Sequence, residues 1–386
     1  MPRKHCYKAV SQHFASGDRT ANERRAATIK HGAVLETSHS VYCRQHTHPL
    51  PHEAMLLICV VLVLALIVAP AAVAAPDPLS DECLVDSIVT PLLGGNGDSP
   101  IIPVSIDGKS AAMYVNPAAD EIYVRDAENI EFPYEARHAR VLINGTHIEN
   151  ASRSVIYNLV VGDIRLKNVA VVRLDTPSTQ SVSGRPIVGI LGRTALSRMI
   201  VMIDIPDRKF AFLRYKDTKQ CEQPGPIDRL VGRDVNSVPL NTDFTIPVTL
   251  SGETRQLELD PDLHHITVPH AWLSRLQKKT ARAPYTQVSA RYDDFVDKGV
   301  LASVDNIQIG QYNSGPQNVV FQENWDTAGL GLPFFEHKVV FFDYPKRRLY
   351  FAERDHTKPL PSGRNLHFFR VVISNVDINE NTGLVR

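Results

Sequence analysis

Apolar and polar residues alternate in short runs along most of this chain, as in Val155–Val161, Val169–Leu174, Met199–Ile205 and Val339–Phe342, with Gly, Pro, Asn and Asp between the runs. Period-two alternation bounded by turn formers predicts half-buried strands and a mostly β body. Helical signals are confined to Arg193–Arg198, behind Gly192, and Trp272–Lys279, behind the breaker Pro269. The pairs Asp107-Gly108 and Ser251-Gly252 predict two-residue hairpin turns, since Gly tolerates the positive φ that such turns need.

The pattern also repeats. Ile102-Pro103-Val104-Ser105-Ile106-Asp107-Gly108 aligns without a gap on Ile246-Pro247-Val248-Thr249-Leu250-Ser251-Gly252. The same register sets Met113-Tyr114-Val115-Asn116-Pro117 against Leu257-Glu258-Leu259-Asp260-Pro261, so equivalent strands end on a carboxamide in one copy and a carboxylate in the other. Farther on, Ile203-Asp204-Ile205-Pro206-Asp207-Arg208 faces Phe342-Asp343-Tyr344-Pro345-Lys346-Arg347. Two matches in the same order predict one duplicated unit. Residues 98–216 then form a first lobe, 217–243 a linker, 244–356 a second lobe and 357–386 a tail with no counterpart in the repeat. A chain of 386 residues can supply two such cores, each of roughly 100–150 residues.

Charge narrows the partners. Lys plus Arg and Asp plus Glu number 42 each, so no global positive field exists to hold nucleic acid or an anionic membrane surface. The apolar run at 55–75 ends in Pro70 and then Ala72-Val73-Ala74, the pattern of a signal peptide and its cleavage site; retained, it would serve as an anchor. Either way the body is expected outside the cytosol, secreted or periplasmic. The head at 1–54 is basic, His-rich and without apolar periodicity, and is expected to be disordered or untranslated, with Met55 as the alternative start. Loss of the leader removes Cys6, Cys43 and Cys59, which leaves Cys83 and Cys221 to form one disulfide in an oxidising compartment.

The order of elements carries a resemblance. A hairpin, an apolar strand ending at an acidic position, an apolar-apolar-Gly element, a short helix, a strand and a Pro-turn hairpin together resemble the retropepsin-like aspartic proteases. Ile190-Leu191-Gly192 and Gly329-Leu330-Gly331-Leu332-Pro333-Phe334-Phe335 are similar to the family's closing segment. The resemblance implies an all-β fold: two retropepsin-like β-barrel lobes related by a pseudo-twofold axis, with a few short helices and a pepsin-like cleft between them. It also implies Asp-Thr/Ser-Gly at each strand end, where this chain has Asn116-Pro117-Ala118 and Asp260-Pro261-Asp262. Only Asp260 keeps the family's residue as a catalytic candidate, and its partner position, Asn116, is degenerate.

Hydrolysis by that family's chemistry needs two carboxyls sharing a proton, and a carboxamide can neither take nor give one. Proline at the second position has neither the hydroxyl nor the N–H that would lock the two loops together. The expected function is therefore an exported, catalytically degenerate protein that binds an extended peptide or protein segment between the lobes, without a cofactor. One alternative is an active aspartic endopeptidase using Asp260, with Asp120 or Asp262 swinging in as its partner. Another is a metal-dependent hydrolase built on Asp260, Asp262 and His264, which alternate along an extended segment. Against it, Pro261 breaks strand geometry, and His264-His265 read as the start of an exposed strand running to Val268. No Gly-rich phosphate loop, Gly-x-Ser-x-Gly or Cys-His pair supports phosphoryl or acyl transfer.

Overall fold

Strands form where the alternation lies; those at Val155–Val161, Val169–Leu174 and Val339–Phe342 run longer than the pattern, and the one at Met199–Ile205 is shorter by a residue at each end. A computed structural model describes residues 82–368, apart from 135–137, 144–146, 278–285, 293–294, 324–326, 355–358, 365 and most of 217–234. Strand β1 (Leu84–Pro91) comes first. The first lobe holds β2 (Ile101–Ile106), β3 (Lys109–Val115), β4 (Tyr123–Arg125), β5 (His138–Ile143), β6 (His147–Val161), β7 (Ile164–Leu174), β8 (Ser181–Val182), β9 (Arg185–Leu191), helix α1 (Arg193–Leu196), β10 (Ile200–Asp204) and β11 (Lys209–Tyr215). After β12 (Asn236–Pro239) come β13 (Ile246–Leu250), β14 (Glu253–Leu259), β15 (Ile266–Pro269), a 3-10 turn at His270–Trp272 and α2 (Leu273–Gln277). The second lobe continues through β16 (Thr286–Tyr292), β17 (Phe295–Val304), β18 (Ile307–Ile309), β19 (Tyr312–Asn313), β20 (Gln317–Gln322), β21 (Gly329–Leu330), α3 (Leu332–Phe335), β22 (Lys338–Asp343) and β23 (Arg348–Glu353).

The lobes share one topology. Hydrogen-bonded neighbours run β2-β3-β9-β4-β7-β6-β5 in the first and β13-β14-β21-β15-β20-β17-β16 in the second, with β18 and β19 beyond β13. Each lobe curls its opening strand onto a later one at the same place, Ile106 opposite Leu159 and Leu250 opposite Ile307. Both opening hairpins turn through two residues of positive φ, 49° and 85° at Asp107-Gly108 and 47° and 83° at Ser251-Gly252. That is the type I′ turn whose twist matches paired strands.

A third sheet, β1-β11-β10-β22-β23-β12, takes three strands from either side. At its centre β10 and β22 run antiparallel, with Met202 opposite Phe341, Ile200 opposite Asp343 and Asp204 opposite Val339. Asp204 and Asp343 are equivalent positions, as are Ile200 and Val339, so exchanging the lobes maps the ladder onto itself. The pseudo-twofold axis therefore passes through the Met202–Phe341 pair, and the expected all-β, two-lobed class is what the structure shows.

Burial follows the two-residue period. Ala111, Met113 and Val115 of β3 join a core that runs through both lobes, while Ala112 and Tyr114 face a smaller cluster beside the strand ends. Val201 and Ile203 of β10 enter the large core, and Ile200 and Met202 cover the opposite face of the third sheet. That sheet joins strands of both lobes in one ladder with apolar residues on both of its faces.

Some expectations shift. The predicted helix at Trp272–Lys279 opens as a 3-10 turn one residue after Pro269, and α2 is described as far as Gln277. The strand expected to be exposed from His264 instead starts at Ile266 and is buried at Ile266, Thr267 and Val268, because β20 and β21 flank it. Cys83 and Cys221 are bonded, with Cα atoms 5.6 Å apart. The leader at 1–54 and the apolar run at 55–75 lie outside the described residues, among which no helix is long and apolar enough to cross a membrane.

Candidate functional site between the lobes

The site is built twice from the same parts. Strands β3 and β14 end side by side with the Gly-bearing strands β9 and β21, to which they run parallel. The backbone N–H of Asn116 donates to Leu191 O at 3.1 Å, and that of Asp260 to Leu330 O at 3.0 Å. Each chain then turns back at once: Ala119 N reaches Asn116 O at 3.2 Å, and Leu263 N reaches Asp260 O at 3.1 Å. The first residue of each following helix ties the turn down, Arg193 N to Ala119 O at 2.8 Å and Leu332 N to Leu263 O at 2.7 Å. Gly192 and Gly331 permit this approach, since a Cβ on them would stand 2.0 Å from Glu121 O and 2.2 Å from His265 O.

Asn116 and Asp260 meet on the axis. The Asn116 Nδ2 donates to Asp260 Oδ1 at 2.7 Å, and the two residues are 1% and 0% exposed. Each side chain also accepts the N–H two residues ahead, Ala118 N to Asn116 Oδ1 at 2.8 Å and Asp262 N to Asp260 Oδ1 at 3.1 Å. Burial, and next the charge of Asp262, push the Asp260 carboxyl up to about 7, against the opposing pull of Asn116 Nδ2 and the Asp262 N–H. The pair thus holds one titrating group and one amide.

The neighbouring candidates are committed elsewhere. Asp120 accepts the Tyr123 hydroxyl at 2.7 Å. Asp262 Oδ1 accepts the Ser99 hydroxyl at 2.6 Å and the backbone N–H of Phe368 at 2.7 Å. His264 lies against the His367 ring, centroids 3.7 Å apart, and burial first, then the His367 charge, pushes its imidazole down to about 4. Among the described residues no group of three or more His, Cys, Asp or Glu converges with metal-ligand geometry, so Asp260, Asp262 and His264 are not brought together as a ligand set.

Pro117 and Pro261 leave the loops without the cross-axis donors that other residues would supply. Ser99, just ahead of β2, takes up part of that work through Asp262 Oδ1 and Pro261 O, the latter at 3.3 Å. Sequence reasoning passed over Ser99 and also over Leu366, His367 and Phe368, all of which are buried. A faint signal for the last three existed: an apolar-His-aromatic cluster follows Pro359, Pro361 and Gly363 in a stretch otherwise lacking strand periodicity.

No family model and no curated protein matches the chain. Among solved structures, an aspartic proteinase from Irpex lacteus is similar with a TM-score of 0.46 and 9% sequence identity, over 71% of this chain and 99% of that one. The fold described above rests on strand order and register.

Proposed function

We propose that this is an exported aspartic-protease-like protein that binds an extended peptide segment between its lobes without hydrolysing it, and that the lobes descend from one duplicated unit. The observation that carries the reading is the 2.7 Å contact from Asn116 Nδ2 to Asp260 Oδ1 at the position where acid–base hydrolysis would need a second carboxyl. An attacking water requires a base while the scissile carbonyl requires an acid, and one carboxyl cannot be both at once. The disulfide supports an oxidising, extracytoplasmic setting, to which the apolar run at 55–75 would direct the chain.

The decisive assay is cleavage of unfolded protein substrates between about pH 3 and 6, the range in which paired carboxyls share a proton. The parent chain is expected to show none, and Asn116→Asp is expected to show none either. Restoring the carboxyl does not restore the donors missing at Pro117 and Pro261, and a misplacement of about 1 Å can cost on the order of 10²-fold. Dose-dependent cleavage by the parent, abolished in Asp260→Asn, would reverse the reading. A carboxyl held at about 7 is protonated throughout the assay range, so the pair offers an acid and no base, in keeping with the inactive reading.

A further inference from the structure

The segment after β23 returns to the space beside the strand ends. Asn96 N donates to Pro361 O at 2.9 Å, and Ser99 N to Leu366 O at 3.0 Å. Asp98 Oδ1 collects the backbone N–H groups of Arg364 and Leu366, both at 2.8 Å, and Asp262 Oδ1 collects that of Phe368 at 2.7 Å. From the first lobe, Gln180 Nε2 donates to His367 O at 3.1 Å and is itself held by Tyr114, whose hydroxyl reaches Gln180 Oε1 at 2.6 Å.

Side chains complete the fit. The Phe368 ring joins the cluster of Tyr114, Ala119, Tyr123 and Ile190, with Tyr114 at 5.9 Å between centroids. Arg125 lies over its face at 5.4 Å, fixed there by paired 2.7 Å contacts to Glu149. Tyr114 stands two residues before Asn116, and Asp262 two after Asp260. The tail therefore touches the wall of one lobe and the turn of the other, which is what an extended peptide in this site would touch.

We propose that the tail at Arg364 and Leu366–Phe368 is the resident occupant of the interlobe site, an internal ligand that an extended segment of the same pattern, apolar-His-aromatic, displaces. The proposal rests on the reading of the site as a peptide-binding cleft. Asp98 and Asp262 read the main chain of the occupant, and the pocket under Arg125 selects an aromatic ring. The tail lacks the continuous ladder that holds a core strand. Its only ladder contact among the described residues is the isolated bridge between Asn96 and Ser362; its other contacts include single backbone bonds from Asn96 and Ser99, side-chain bonds from Asp98, Asp262 and Gln180 to its main chain, bonds of the His367 ring to Ser99 and Gly97, and the Phe368 ring. Segments held in this way open at lower free energy than the sheets around them.

The test uses the full chain and a labelled synthetic peptide matching residues 361–370. A Leu366→Ser, Phe368→Ala double variant is expected to bind that peptide at least about tenfold more tightly than the parent, because its own tail competes less. Equal binding by both, or binding by neither when the variant keeps its thermal transition, overturns the proposal. Should the variant not fold, hydrogen exchange of the parent decides. The amides of Leu366 and Phe368 are expected to exchange faster than those of β3 and β14, and faster still with excess peptide. Protection equal to those strands, unmoved by peptide, would make the tail a permanent part of the core. A panel of unrelated extended peptides separates the two readings. Binding of these equally to parent and variant retains the cleft and sinks the tail; binding of the tail peptide alone retains the tail and sinks the cleft as a receptor for other proteins.

Discussion

Asp260 shows how burial outweighs hydrogen bonding at a single residue. It accepts N–H groups from Asn116 and Asp262, each of which favours the carboxylate, yet the group stays near neutrality because the site excludes water. Its unfolded value is about 3.9, so between that and about 7 the native state binds the extra proton. Stability carried by this group is thus fully present at low pH and is lost as pH rises through the folded value. Asp260→Asn keeps an acceptor for both donors and never ionises. Relative to the parent, it is expected to gain little near pH 4 and progressively more toward pH 8, with a ceiling of about 4 kcal/mol. Urea midpoints for the two proteins at a series of pH values check this, and parallel curves would show that Asp260 is not desolvated as described.

Elements differ in how much of them could be read beforehand. The opening hairpins were legible because a type I′ turn demands positive φ twice, and Asp-Gly and Ser-Gly between alternating runs advertise it. The meeting of Asn116 with Asp260 followed from the register together with the pseudo-twofold axis that the resemblance implied, since equivalent strand ends beside that axis approach one another. The apolar-apolar-Gly segments were visible too, but not their reason: the turn after each strand end folds onto the helix start, and a carbonyl occupies the place of a Cβ. Gly331→Ala, whose methyl would stand 2.2 Å from His265 O and 2.5 Å from Leu263 O, is therefore expected to cost about 3 kcal/mol or more. Gly184, with open space around its Cα, is a control in which only the positive φ is lost. Chemical denaturation of the pair distinguishes crowding from backbone strain, and equal losses would reject the close approach. The contact between Ser99 and His367 was not legible, because 268 positions separate them and no local pattern signals a contact that tertiary packing creates.

At the scale of the molecule, twofold symmetry is broken in one covalent respect. β1 and β12 occupy equivalent edges of the shared sheet, pairing with β11 and β23, but only the first edge is tied by a disulfide. Cys83 immediately precedes β1, and Cys221 follows β11 across a separation of 138 residues, so the closed loop contains all of β1–β11. In the chain-entropy account such a loop adds about 4–5 kcal/mol by restricting the unfolded chain, an amount comparable to half the stability of an ordinary domain. The bond also holds the end of an edge strand that has one hydrogen-bonded neighbour among the described residues. Two consequences follow from these separate causes, and they are measurable separately. A Cys83→Ser, Cys221→Ser variant is expected to lose several kcal/mol in global unfolding, and its β1 amides are expected to exchange faster while those of β12 hold. A global loss without the local change would place the effect in the unfolded chain alone, whereas neither change would mean that the shared sheet fixes this edge without the bond.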